Sequence, residues 1–138
     1  MGDNPGDRGL LDTSVVIGSD EIDPALLPGE FAISALSLAE LTVGPLAATD
    51  DISGVRRQNR LQRFESGVAA LPFESRCAQA YGEIYAATIT VGRKPRGARI
   101  VDLMIAATAL AHGLPLYTRN PKDLRGLEQL IEIVDVSA

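Results

Sequence analysis

The sequence predicts an α/β fold, a parallel sheet with helices on both faces. Three observations carry this. Short apolar runs recur at Gly9–Leu11, Phe31–Ser34, Leu114–Thr118 and Ile131–Val136, longer stretches of helical periodicity lie between them, and turn residues separate the two kinds. With 138 residues the chain forms one domain that buries roughly two-thirds of the surface its unfolded chain exposes, without a disulfide or structural metal. Residues 1–8 are expected to be a flexible leader and residues 9–138 a single domain.

Gly9-Leu-Leu-Asp12 reads as a buried strand with Asp12 at its carboxyl end, and Thr13 or Ser14 caps a short helix through Val15-Val-Ile17. After a Pro- and Gly-containing loop, Phe31–Ser34 is a second strand and Leu36 opens a helix. Glu40 shares a face of that helix with Leu36, Val43 and Ala47, so it is expected to look inward, and Gly44-Pro45 is expected to kink or end the helix. Ser53–Val68 is amphipathic, with Leu61, Phe64 and Val68 inward and Arg56, Arg60 and Arg63 along an outer face. Ala69–Phe73 is a third strand weakened by Pro72, and Ser75–Val91 a long helix. A basic loop, Gly92–Arg99, leads into the helix Ile100–Ala111, closed by Gly113. Strand Leu114–Thr118, the turn Arg119–Asp123, a short helix and strand Ile131–Val136 complete the chain.

Composition excludes several classes. A single cysteine, Cys77, rules out an internal disulfide and a cysteine-based zinc site, and a single histidine, His112, leaves no room for most His-dependent triads. In the last turn of its helix, His112 suits the negative end of the helix dipole. No apolar run reaches membrane-spanning length, and Met1–Gly9 has no apolar core for a secretion signal, so a cytoplasmic protein without membrane association is expected. An aromatic content of 4% argues against a stacking platform for single strands, and a net charge of −5 weighs mildly against nucleic acid. The distribution of charge matters more than its sum.

Asp102 is the only charged residue between Ile100 and Ala111, on a face shared with Ile105, Ala106 and Ala109. A carboxylate on such a face needs a cation, a hydrogen-bond network or a proton. Pairing with Arg99, or backbone N–H bonds at the helix start, is the plain account. Asp12, Glu40 and Asp123 offer another, because in a doubly wound sheet all four lie toward the carboxyl ends of the strands, where open α/β sheets keep their sites. Clustered carboxylates repel unless a cation neutralises them, and oxygen-only donors favour Mg²⁺ or Mn²⁺. Such a site suits phosphodiester hydrolysis. Thr13, Ser14, Thr118 and Asn120 are candidates for holding water or phosphate oxygens, or else are caps and turn residues. Arg93, Lys94, Arg96 and Arg99 in the basic loop, and the Arg56/Arg60/Arg63 face, either lead a phosphate backbone to the acids or are solvated surface.

Leu11-Asp-Thr-Ser14, Ser37-Leu-Ala-Glu-Leu41, Arg99-Ile-Val-Asp102 and Leu116-Tyr-Thr-Arg-Asn-Pro-Lys-Asp-Leu124 resemble, in order, the motifs of the PIN-domain ribonucleases, specifically the VapC toxins of bacterial type II toxin–antitoxin modules. The resemblance runs from Leu10 to Val136. It implies a PIN-like three-layer α/β/α sandwich around a mainly parallel sheet of four to five strands. It also implies a Mg²⁺-dependent endoribonuclease, with Mn²⁺ as possible substitute, that cuts structured RNA such as tRNA or rRNA and stops translation. A homodimer is implied too, held inactive by a VapB-type antitoxin whose C-terminal segment can place an Arg over the acids. By this resemblance Asp12 and Asp102 match the principal metal ligands, Glu40 the second acid, and Asp123 the less regular fourth, with Asn120 where many relatives carry an acid. A catalytically weak PIN-like module that binds RNA or protein is the alternative. A phosphoaspartyl receiver or phosphatase fits less well, since no Asp-x-Asp follows the first strand.

Overall fold

The computed structural model describes residues 7–137. Five parallel strands form one sheet: β1 (Arg8–Leu11), β2 (Glu30–Ser34), β3 (Ala69–Leu71), β4 (Leu116–Thr118) and β5 (Ile133–Asp135), in the spatial order β3-β2-β1-β4-β5. The expected leader falls mostly outside the described residues, and at its end Arg8 already belongs to β1, in register with Glu30. β3, β4 and β5 are each shorter than the apolar runs that announced them. Pro72 follows β3 directly, and the Pro115 carbonyl accepts from Leu10 N just before β4 begins.

Parallel strands need crossovers, which the helices supply. They are α1 (Thr13–Ile17), α2 (Ala35–Ala47), α3 (Asp51–Gly67), α4 (Ser75–Thr90) and α5 (Arg99–His112). Successive strand residues face opposite sides, so the sheet feeds two cores. Leu10 and Leu116 pack with Ile84, Leu103, Ile105 and Ala106 beneath α4 and α5. Leu11, Ile33 and Tyr117 pack with Val15, Leu41, Leu61 and Phe64 beneath α1, α2 and α3. α5 ends as its sequence predicts, with Gly113 at φ 64° receiving the chain in the left-handed region.

Pro45 sits in the last turn of α2, which closes two residues later at Ala47, in line with the helix end expected near Gly44-Pro45. Two other expectations about helices are corrected. The buried residues of α2 are Ser37 and Leu41, whereas Val43 is 56% exposed and Ala47 and Glu40 are also exposed, so the face expected to look inward is open. At the end of α5 the surroundings of His112 disfavour the positive charge expected there. Burial and then the nearby Arg76 guanidinium lower its pKa, and an Arg76 N–H donates to Nδ1 at 3.2 Å.

The chain builds β1, β2 and β3 outward in one direction and then returns to place β4 on the other side of β1. That reversal opens a crevice at the carboxyl ends of β1 and β4.

Candidate active site

Asp12 stands at the crevice as the residue after β1 and the N-cap of α1, where its Oδ1 accepts from Val15 N at 3.2 Å and from the Ser14 hydroxyl. Ser14 Oγ in turn accepts from Arg119 N at 3.1 Å, which ties the end of β1 to the end of β4. Thr118 is buried, and its Oγ1 accepts from Asn120 N at 2.9 Å, shaping the turn out of β4. Burial raises the Asp12 carboxyl above its ordinary value, opposed by the Ser14 and Thr118 hydroxyls and by the Val15 and Ser14 N–H groups. Thr13 points the other way, toward α2, and donates to Glu40 Oε1 at 2.6 Å.

Asp102 lies in the first turn of α5. It has no salt bridge to Arg99, whose guanidinium instead donates to the Lys94 carbonyl at 3.1 Å. The direct pairing of Asp102 with Arg99 is therefore not made. The Asp102 pKa is pushed up to about 6, by burial first, then by the negative charges of Asp12, Glu40 and Asp123, with the Arg99 charge only partly opposing. The carboxylates drawn from four segments of the chain thus share one electrostatic neighbourhood.

A cavity of about 40 Å³ is lined by Asp12, Ser14, Asp102, Asn120 and Asp123 over Leu116 and Leu124. Both candidates for the fourth polar position reach it. The 3₁₀ turn Pro121–Leu124 curls back, with Asp123 N donating to the Asn120 carbonyl at 3.0 Å, so that Asn120 and Asp123 flank the same opening. Glu40 is outside this lining, on the α2 side of Asp12.

The donor chemistry fits a hard divalent cation: oxygen ligands alone, several negative charges, and a carboxyl whose neighbours disfavour its ionisation. Among the described residues no three Asp, Glu, His or Cys side chains are grouped closely enough to cage one ion. An ion of the Mg²⁺ kind needs only one or two carboxylates, with water completing its shell.

In the basic loop, Lys94 and Arg96 are exposed while Arg93 and Arg99 are half-buried, and the loop folds on itself through Arg93 N to the Thr88 carbonyl and Arg96 N to the Lys94 carbonyl. On α3, Arg63 pairs with Asp20 at 3.2 Å, which commits one member of the basic helix face to a surface ion pair. Sequence reasoning missed Ser37. It is fully buried, one turn before Glu40, and lies 2.8 Å from Thr13 Oγ1. Its only sequence signal is its place in the Ser37–Leu41 motif.

Residues 9–128 match the family model described as PIN domain. Ribonuclease VapC5 of Mycobacterium tuberculosis is 38% identical over 118 residues, covering 81% of this chain and 82% of the relative. Ribonuclease VapC4 of the same organism is 35% identical, covering 82% and 86%. Among solved structures, the VapBC-5 complex from Mycobacterium tuberculosis superposes with a TM-score of 0.79 at 32% identity, covering 94% of this chain and 99% of that one. The chain therefore belongs to the PIN-domain family of nucleases, among its VapC ribonucleases.

Proposed function

We propose that this chain is the toxin of a type II toxin–antitoxin module: an endoribonuclease that depends on Mg²⁺ or Mn²⁺, cuts structured RNA such as tRNA or rRNA, and thereby inhibits translation. The observation that carries the reading is the meeting of Asp12, Glu40, Asp102 and Asp123 at one crevice, where burial first and then the charges of the other three lift Asp102 to about 6. A pocket that penalises its own charge is suited to receiving a cation.

Asp12 and Asp102 would hold the ion. When bound, it supplies Lewis-acid stabilisation of the charge that develops on a phosphodiester. The chain supplies the rest. Ser14 and the Val15 N–H fix the Asp12 carboxyl, so its oxygens are oriented before any ligand arrives. Glu40, exposed and held at one oxygen by Thr13, keeps its other oxygen free to take a proton from water. Asp123 and Asn120 close the far side of the cavity, with Asn120 offering an amide to a phosphate oxygen. Thr118 holds the Asn120 backbone in place from beneath. Arg93, Lys94, Arg96 and Arg99 would contact the RNA backbone without reading its sequence.

The partner is a VapB-type antitoxin. The similar solved structures include the VapBC-5 complex and DNA-bound VapBC from Salmonella typhimurium, the latter at 26% identity and TM-score 0.68. Residues 9–138 act as one PIN domain, the toxin works as a homodimer, and it acts in the cytoplasm. Among the described residues no helix is long and apolar enough to cross a membrane.

The test is incubation of purified protein, freed of partner, with total cellular RNA in Mg²⁺, Mn²⁺ or EDTA, beside Asp12→Asn. Discrete fragments that need the metal and vanish in the variant are expected. Equal cleavage in EDTA, or by Asp12→Asn, refutes the reading.

A further inference from the structure

We propose that Ser37 is a positioning residue that fixes the Glu40 carboxylate through Thr13. The inference rests on the role given to Glu40 above and extends it to a residue that touches neither acid.

The hydrogen-bond polarity along this path has one solution. Thr13 Oγ1 has a single proton, and it goes to Glu40 Oε1, 2.6 Å away. The 2.8 Å contact between Thr13 Oγ1 and Ser37 Oγ then requires Ser37 to donate. Ser37–OH to Thr13–OH to Glu40 is therefore a directed chain that ends on a carboxylate, where a charge-assisted bond is strongest.

Ser37 lies in the first turn of α2, where its own helix offers no carbonyl four residues back. Thr42, Ser66, Thr88, Thr90 and Thr108 all donate to the carbonyl four residues back in their own helix. Ser37, fully buried, instead turns its hydroxyl out of α2 to meet the first residue of α1. One turn earlier, Ser34 Oγ caps the helix by accepting from Leu36 N at 3.0 Å. Ser37 and Glu40, three apart, then lie on the same side of α2. Glu40 is exposed, and Thr13 is its one hydrogen-bond partner among the described residues. An exposed glutamate has three rotatable bonds, so its placement beside Asp12 depends on how firmly Thr13 is held. Asp12-Thr13-Ser14 thereby splits its work: Ser14 orients Asp12, and Thr13, anchored by Ser37, orients Glu40.

The test compares Ser37→Ala, Thr13→Val and Thr13→Ser, each in the native and the Glu40→Gln background, on total cellular RNA under enzyme excess with Mn²⁺. The cleavage rate constant is expected to fall about tenfold in Ser37→Ala, as for other residues that orient a metal-site carboxylate, and at least as far in Thr13→Val. Thr13→Ser, which keeps the hydroxyl, should stay close to the unsubstituted rate. Ser37→Ala added to Thr13→Val should cause no further loss. A second readout needs neither RNA nor metal: the carboxyl ¹³C resonance of Glu40 in ¹³C-glutamate-labelled protein, assigned by Glu40→Gln. It should move toward its free-peptide position in Ser37→Ala and Thr13→Val while thermal unfolding remains cooperative. An unmoved resonance in Ser37→Ala overturns the proposal, as does a tenfold loss that persists undiminished in the Glu40→Gln background. Full cleavage by Glu40→Gln, with the resonance shift intact, would instead overturn the role given to Glu40 and leave the hydroxyl chain standing.

Discussion

Replacing Asp102 by Asn is expected to make the metal-free protein more stable. The folded state raises the Asp102 carboxyl from 3.8 to about 6, through burial and the charges of Asp12, Glu40 and Asp123. A shift of that size corresponds to about 3 kcal/mol of penalty on the ionised form. Asp102 is only partly buried, and solvent screening reduces this to about 1–2 kcal/mol. The folded state binds the proton more tightly than the unfolded chain, so the penalty is absent below the unfolded value of 3.8, grows as pH rises toward 6, and is complete above it. Asn keeps the shape without the charge. Thermal unfolding in EDTA should therefore give similar midpoints for wild type and Asp102→Asn at about pH 3.5, and a variant higher by about 3–8 °C at about pH 7.5. Millimolar Mg²⁺ should raise the wild type more than the variant and narrow the gap, because a ligand stabilises only the state that binds it. A variant less stable than wild type at neutral pH, or a gap independent of pH, refutes the electrostatic account and returns Asp102 to a structural role.

Other expectations concern separate parts of the molecule. Asp12→Asn should abolish RNA cleavage while remaining folded by circular dichroism, since Asn also caps helices well and the ionised carboxyl is itself disfavoured by burial. Reversing Arg93, Lys94 and Arg96 to Glu should weaken RNA binding and flatten its salt dependence, leaving Mg²⁺ affinity by calorimetry unchanged; unaltered binding would remove the loop from the RNA path. Gly9→Ala should destabilise by about 1–3 kcal/mol in urea unfolding, because its Cβ would stand 2.4 Å from the rigid Tyr117 ring. Gly18→Ala should be milder. There the clash is with the Arg119 guanidinium, the mobile end of a long side chain, and a crystal structure should show Arg119 displaced from Glu21.

The sheet and α5 were legible because their signals are local and redundant. Apolar runs bounded by turn residues mark β1 and β2, and a single Asp in an apolar helix marks the candidate site. The buried side of α2 was not legible. Leu36, Val43 and Ala47 suggest a stripe, yet the helix is apolar on most of its circumference, so hydrophobicity does not choose a face. The Ser34 cap and the buried Ser37 and Leu41 choose it. Glu40 is consequently exposed, while still reaching Thr13. Asn120 and Asp123 could not be separated by spacing, because the curl of the 3₁₀ turn brings both to one cavity. The Thr13–Ser37 contact joins residues 24 apart and carries no pattern that periodicity can register.

The bond from Arg119 N to Ser14 spans 105 residues, and β4 can dock on β1 only after everything between them has been made. Asp12 and Glu40 emerge early in synthesis, and Asp102 and Asp123 late. A nascent chain therefore carries acids but no pocket, and the neighbourhood that calls for a cation exists only once the long-range pairing closes. For a ribonuclease, the connectivity of the fold itself delays activity until β4 has been made and docked.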